Sequence, residues 1–499
     1  MIPTQPRRAL SVALAVAFLT LAHYGCGPSA PTNSADQTAT EAITASPSPI
    51  TIPPWPPGFP TAMPTPVISG NIPLTVARPQ DSSPPLEKRP FFDNFSWESF
   101  IALNWPAKPG SRGVPDQPDN ANVFFKAPNG TPVVWGTYKD SSELFGQKNQ
   151  RPTPWDSNDI PISPCPNASG QKMLIFITKG DTPLMQTKQA FSFPLVDQQG
   201  NYVYYDIRYD QAQYNFIRGQ DNDPTSWLYL LKNLAPKENA QFGVQVPMST
   251  TTPPMLGSIM LKAAWRIKTD KDDANRFYST SAQIFNPATQ KCTPASVLLV
   301  GLHIAHKVDP FTEWVWSTFE QVDNVPPDAT DGPTPPAPPN GYSFNNGTDT
   351  PKTVGGYNYK PPVPPSVPGQ PAPSPSPVQV TRVNPIPTTP AGSSTREINT
   401  YYQQLLKGTV WQYYQLVVTQ WPVNPGIGAG FPFMLMENGG VYPQNAGDAF
   451  PVNGAVNTTM ETYFQTQGDA AGAGGNSCMS CHYRAGQSDF SWGLNRRAH

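Results

Sequence analysis

Two cysteines and a histidine in Cys478-Met479-Ser480-Cys481-His482 have the spacing at which haem is attached covalently in c-type cytochromes. One helical turn sets the two thiols side by side, where each can bond a haem vinyl group, and the histidine that follows offers an imidazole to the iron. A Cys-x-x-Cys pair can instead hold zinc or cycle as a redox disulfide. A histidine directly after the second cysteine of an exported chain favours haem over both. The expectation is one haem c on Cys478 and Cys481, with His482 as an axial iron ligand.

The second axial ligand is harder to place. Residues 483–499 contain no methionine, so the ligand has to come from upstream, from another chain, or from the terminal His499. Once a leader carrying His23 is removed, the histidines are His303, His306, His482 and His499. His303 and His306 close an apolar run, and His303 is the first choice. The alternative for either is a histidine hydrogen-bonded inside the fold without touching iron. Met434, Met436 and Met460 are the thioether alternatives, although methionine more often fills cores. Methionine–histidine ligation raises the reduction potential, whereas a missing ligand opens iron to peroxide, oxygen or carbon monoxide. His306 with Glu313 or Glu320 is the acid–base group that would suit such an open site.

Export is read from the start of the chain. Arg7 and Arg8, an apolar run over 9–22 and small residues near Gly25 have the layout of a secretory signal, 1–26. The run is too short to span a membrane stably, and no other stretch is long and apolar enough. Cys26 follows His23-Tyr24-Gly25, which looks like a lipoprotein processing site except that His23 stands where an aliphatic residue is usual. A lipid anchor at Cys26 therefore stays open beside plain export to the periplasm or cell envelope. Of the five cysteines, Cys165 and Cys292 are left either to form a disulfide or to sit buried as small hydrophobes. A formal net charge of −2, with no basic run, points away from nucleic acid and anionic membrane surfaces and leaves a redox partner protein.

The 64 prolines concentrate in two tracts. Residues 27–87, rich in Pro, Ser and Thr, read as a disordered tether, and 325–393 as an extended linker or insertion. That leaves 88–324 and 394–499 to build the body, the latter ending in the haem segment. Within 201–209, Val203, Tyr205, Ile207 and Tyr209 alternate with Tyr204, Asp206 and Arg208, which predicts a half-buried strand. The run 297–302 has no polar face and predicts a strand covered on both sides. Residues 410–421, apolar on alternate and intervening positions alike, predict another between two layers. Helices are expected over 94–105, ended by Pro106, and over 395–406, with Ser394 and Glu397 at capping-box spacing. Thr458 and Glu461 repeat that spacing and predict a short helix before the motif. The fold class is α+β: a strand-rich body with a few helices and a C-terminal helical haem-binding segment. The glycines at 426, 428 and 430 lack the context of a dinucleotide loop and read as a connection.

Alongside the motif, the stretches 96–106 (SWESFIALNWP), 134–139 (VWGTYK), 314–324 (WVWSTFEQVDN), 415–422 (QLVVTQWP) and 457–461 (NTTME) resemble a family of exported bacterial proteins grouped only as cytochrome c family proteins. The resemblance spans most of the expected body and skips both proline tracts. It implies haem attached at Cys478 and Cys481 with His482 axial, and it implies no particular reaction. Three functional classes follow from the residues: a single-electron carrier, which is favoured; a haem-dependent oxidoreductase or peroxidase with an open distal site; and a binding or sensor module whose haem is structural.

Overall fold

Runs of β-branched and aromatic residues, the longest of them between Tyr204 and Pro422, build a nine-stranded sheet, antiparallel except for one pair. The computed structural model describes residues 50–79, 82–145, 151–158, 165, 172–175, 194–219, 246–286, 291–311, 313–327, 338–347, 353–354, 357–358, 376–423, 449–451, 454–463, 465, 477–482, 489 and 491–497. In chain order the strands are β1 (Lys139–Asp140), β2 (Lys172–Ile175), β3 (Tyr204–Tyr209), the small hairpin β4 (Thr250–Thr251) and β5 (Pro254–Met255), β6 (Ile259–Ile267), β7 (Ser279–Asn286), β8 (Lys291–His306), β9 (Val315–Gln321), a second small hairpin β10 (Thr353–Val354) and β11 (Tyr357–Asn358), β12 (Tyr414–Pro422) and β13 (Ala449–Phe450). The sheet order is β1-β3-β6-β8-β9-β12-β13, with β7 on the outer half of β8 and β2 beyond it. The helices are α1 (Pro85–Leu103), α2 (Ala121–Phe125), α3 (Ser141–Phe145), α4 (Gln211–Arg218), α5 (Thr395–Leu405), α6 (Cys478–His482) and α7 (Trp492–Arg497). The fold is α+β, and among the described residues no helix is long and apolar enough to cross a membrane.

One face of the sheet carries α1 and α5. Trp97 and Phe100 of α1 pack their rings on Phe319 of β9, and Trp97 stacks on Tyr402 of α5 at 5.0 Å. The buried carboxylate of Asp93 accepts from Thr395 of α5 and Thr419 of β12, at 2.6 and 2.7 Å. Burial pushes its pKa up to about 6 against the pull of those hydrogen bonds and of Arg89. Helix α1 therefore buries residues on all sides, and it starts at Pro85, well before the expected 94. A helix without a polar face gives no period to read. Helix α5 starts as expected, with Ser394 and Glu397 forming a full capping box.

Which residues reach the other face is set by two bulges. In β8 the register shifts so that Leu299 pairs with Trp265 and Gly301 with Ala264, which leaves Val300 as the extra residue. In β12 Leu416 pairs with Phe319 and Val418 with Thr318, which leaves Val417 extra. Because side chains alternate with a period of two, an inserted residue turns everything after it to the opposite face. Leu416 thus stays with the helices while Val418 and Gln420 turn away from them.

Several expectations are corrected. Residues 50–79, read as tether, pack on the body: Trp55 lies against Tyr401 and Phe59, and Met63, Ile68 and Val76 are buried. In the second proline tract, Val325, Phe344, Val378 and Val380 join one buried cluster with Val300 and Met460, and Arg382 pairs with Glu320. Average composition hides such isolated apolar residues, and extended proline-rich backbone can still bury them. The strand at 204–209 is covered on both faces, its Asp206 pairing inside the fold with both Arg208 and Lys172. The helix expected at 458–461 is a turn, in which Asn457 and not Thr458 organises the cap.

Cys165 and Cys292 form a disulfide across 127 residues of sequence. Closing a loop of that length restricts the unfolded chain by about 5 kcal/mol in the chain-entropy account. Replacing both cysteines by serine should lower the unfolding free energy by about 3–5 kcal/mol in urea denaturation; an unchanged midpoint would mean the cross-link constrains nothing.

Candidate functional site

The motif forms α6, begun by the bond from the Cys481 amide to the Ser477 carbonyl at 3.2 Å. One turn separates Cys478 from Cys481, and neither is in a disulfide. The helix is docked on the sheet face opposite α1. The Met479 amide donates to Gln420 Oε1 at 2.8 Å, Trp316 Nε1 lies 3.1 Å from Met479 Sδ, and the His482 ring sits 4.4 Å from that of Trp316. Cys478 packs with Val417, Val418 and Ala455, its thiol 3.5 Å from the Ala455 carbonyl. The contacts to Trp316, Val418 and Gln420 use residues whose direction the β9 alternation or the β12 bulge fixes.

Beside the motif runs one rung of the sheet: Lys262 on β6, His303 on β8, Thr318 on β9 and Val418 on β12 are successive register partners. The turn at 457–461 lies over this rung. Asn457 Nδ2 donates to Thr318 Oγ1 and the Phe319 carbonyl at 3.2 and 2.9 Å, and the Asn457 amide donates to Glu461 Oε2 at 3.0 Å. Glu461 Oε2 thereby lies 3.4 Å from His303 Nε2, too poorly aligned to make a hydrogen bond. Lys262 lies 4.9 Å from the centre of the Tyr205 ring.

These groups act on one another. Burial would raise the Glu461 carboxyl, but His303 and Lys262 hold it below its ordinary range. Burial lowers Lys262 while Glu461 and Cys481 pull it up, so the lysine is within electrostatic reach of the motif. Burial, with Glu461 and then Cys481 behind it, pushes the Cys478 thiol far up. A redox-active pair needs a lowered thiol pKa, so Cys478 is poorly suited to disulfide exchange. Among the described residues, no group of three or more His, Cys, Asp or Glu side chains is placed to hold a bare metal ion.

The other candidates fall elsewhere. His306 points to the α1 face, its ring 5.8 Å from Phe95 and its Nε2 3.1 Å from Ser249 Oγ. Glu320 faces the opposite way and is taken up by Arg382 and Thr458, so the suggested pairing of His306 with Glu320 is not formed. Met460 is buried in the cluster with Val300 and Val380. Met434, Met436, Cys26 and His499 lie outside the described residues. Lys262, Trp316 and Gln420 had no sequence signal as site residues, and Glu461 had one only as a cap.

Burial pushes His306 down to about 3. Its folded value lies below the unfolded one, so the stability it contributes is full above pH 6.5 and drains as pH falls toward 3. The variant His306→Phe, which keeps the stack on Phe95, should flatten the fall in thermal midpoint between about pH 6.5 and pH 4; a slope equal to that of the wild type would refute this account. Comparison of the chain with protein-family models, with curated proteins and with solved structures finds no match in any of the three.

Proposed function

We propose that this protein is a c-type haem protein of the cell envelope that passes single electrons, with haem carried by Cys478 and Cys481 and the iron held between His482 and His303. The observation that carries this reading is the meeting, on one sheet face, of the motif helix with the Lys262, His303 and Glu461 group. The residues fit the group. Two thiols one turn apart are outside any disulfide, and the half-buried imidazole of His303 stands on the motif face beside Lys262 and Glu461.

The haem supplies the one-electron couple. The chain supplies its setting. Trp316 fixes the His482 ring from one side, and Gln420 pins the first turn of α6 through the Met479 amide. The cation of Lys262 and the anion of Glu461 offset each other's charge beside the motif. Export is supported by the leader-like first residues and by the Cys165–Cys292 disulfide, which persists in oxidising compartments. The partner is a redox protein, and the anchor at Cys26 remains part of the proposal.

A second reading, a haem-dependent oxidoreductase with an open distal site, is favoured by the same group if His303 serves as an acid–base residue with Glu461 instead of binding iron. A carbon monoxide difference spectrum of the reduced mature protein separates the two. An electron carrier with two firm ligands should ignore carbon monoxide, and His303→Ala should admit it; ready binding by the wild type would favour the oxidoreductase. In the Cys478→Ala, Cys481→Ala variant the haem should be lost on denaturation, and haem retained there would overturn covalent attachment.

A further inference from the structure

We infer that Glu461 is the positioning residue of His303: its carboxylate accepts from one imidazole nitrogen and so leaves the other nitrogen to bind iron. This rests on the haem reading above and deepens it. The carboxylate is firmly held. Glu461 closes a turn whose other members are tied to the sheet at several points. Asn457 is bound to Thr318 and Phe319, and its Oδ1 accepts from the Thr459 amide and hydroxyl, both at 2.7 Å. Thr458 Oγ1 donates to Glu320 at 2.6 Å, and the Thr459 carbonyl accepts from Tyr205 at 2.7 Å. Gly301, two residues before His303 on the same face, is what lets the turn come so close, because a Cβ there would collide with Thr459 Oγ1.

Glu461 is the strongest acceptor beside this rung. An iron-bound histidine generally donates from its second nitrogen to an acceptor that fixes the ring and raises its basicity. Lys262 on one side of His303 is a cation with no lone pair to offer, and the Thr318 hydroxyl on the other, which already accepts from Asn457, is a neutral and weaker acceptor than a carboxylate. Glu461 Oε2 lies 3.4 Å from Nε2, and a turn of the imidazole that aligns its N–H would make the carboxylate that acceptor. Both side chains keep some exposure, 17% for His303 and 24% for Glu461, so the ring has room to turn. An anionic acceptor makes the imidazole a stronger donor, which stabilises the oxidised metal and lowers the reduction potential.

The test is a spectroelectrochemical titration of the full-length mature wild type, Glu461→Gln, His303→Ala and the double variant, with circular dichroism to check folding. Glutamine can still accept from the Asn457 amide but presents no anionic acceptor to His303. In the wild-type background, Glu461→Gln should raise the midpoint potential by about 59 mV, corresponding to a tenfold change in the relative stability of the two oxidation states. In the His303→Ala background the same change should have little effect, because Glu461 acts through the imidazole. Glu461→Asp, which keeps the charge and shortens the reach, should move the potential in the same direction as Glu461→Gln and serves if the latter does not fold. Equal shifts in both backgrounds would reduce Glu461 to a nearby charge and overturn the inference while leaving the haem reading standing. No shift in either background would overturn it as well. A wild type without covalent haem would overturn the haem reading and this inference with it.

Discussion

The bulge at Val300 in β8 is the constraint on which the candidate site depends. Counting back from His303 without it, the alternation from Leu299 would put His303 with the helices and His306 with the motif. The inserted residue reverses this, so His303 meets Glu461 and His306 stacks on Phe95. The bulge in β12 does the same for Val418 and Gln420, which hold Cys478 and Met479. Bulges next to functional sites often serve to re-aim side chains, and here two on nearby strands aim at one place.

Such aiming needs a rigid backing, and the opposite face supplies it. Helix α1 is buried all round, locked by Asp93 to α5 and β12 and by a ring stack from Trp97 to Tyr402. The 50–79 segment closes over α5 through Trp55. Packed interiors yield little to local strain, so strand positions on the far face are held to their register. The motif helix, only five residues long, has little stability of its own and takes its place from Trp316 and Gln420.

Charge on the motif face is arranged in opposition. Lys262 is the register partner of His303, Glu461 lies over the same rung, and the two basic side chains hold the Glu461 carboxyl below its ordinary range. Among other buried groups, Asp93 and Asp210 are pushed toward the neutral form by burial, to about 6 and about 7. Glu461 departs from that pattern because two basic side chains outweigh its desolvation. Asp206, paired with Arg208 and Lys172, is lowered in the same way.

The sequence alone determined what was local. The spacing of Cys478, Cys481 and His482, the capping box of Ser394 and Glu397, the covered strand at 297–302 and the α+β class all depend on neighbours within a turn or on the period of a single strand. The choice of His303 as first candidate was legible as a histidine closing an apolar run, but its direction was not. The tertiary structure alone decided which histidine faces the motif, that Glu461 meets His303 while still accepting from the Asn457 amide, that Cys165 reaches Cys292, and that proline-rich stretches at 50–79 and 376–386 belong to the body. The physical reason is common to all four. Each turns on a pairing between distant residues, and a bulge of one residue or a contact across hundreds leaves no periodic mark in the chain that makes it.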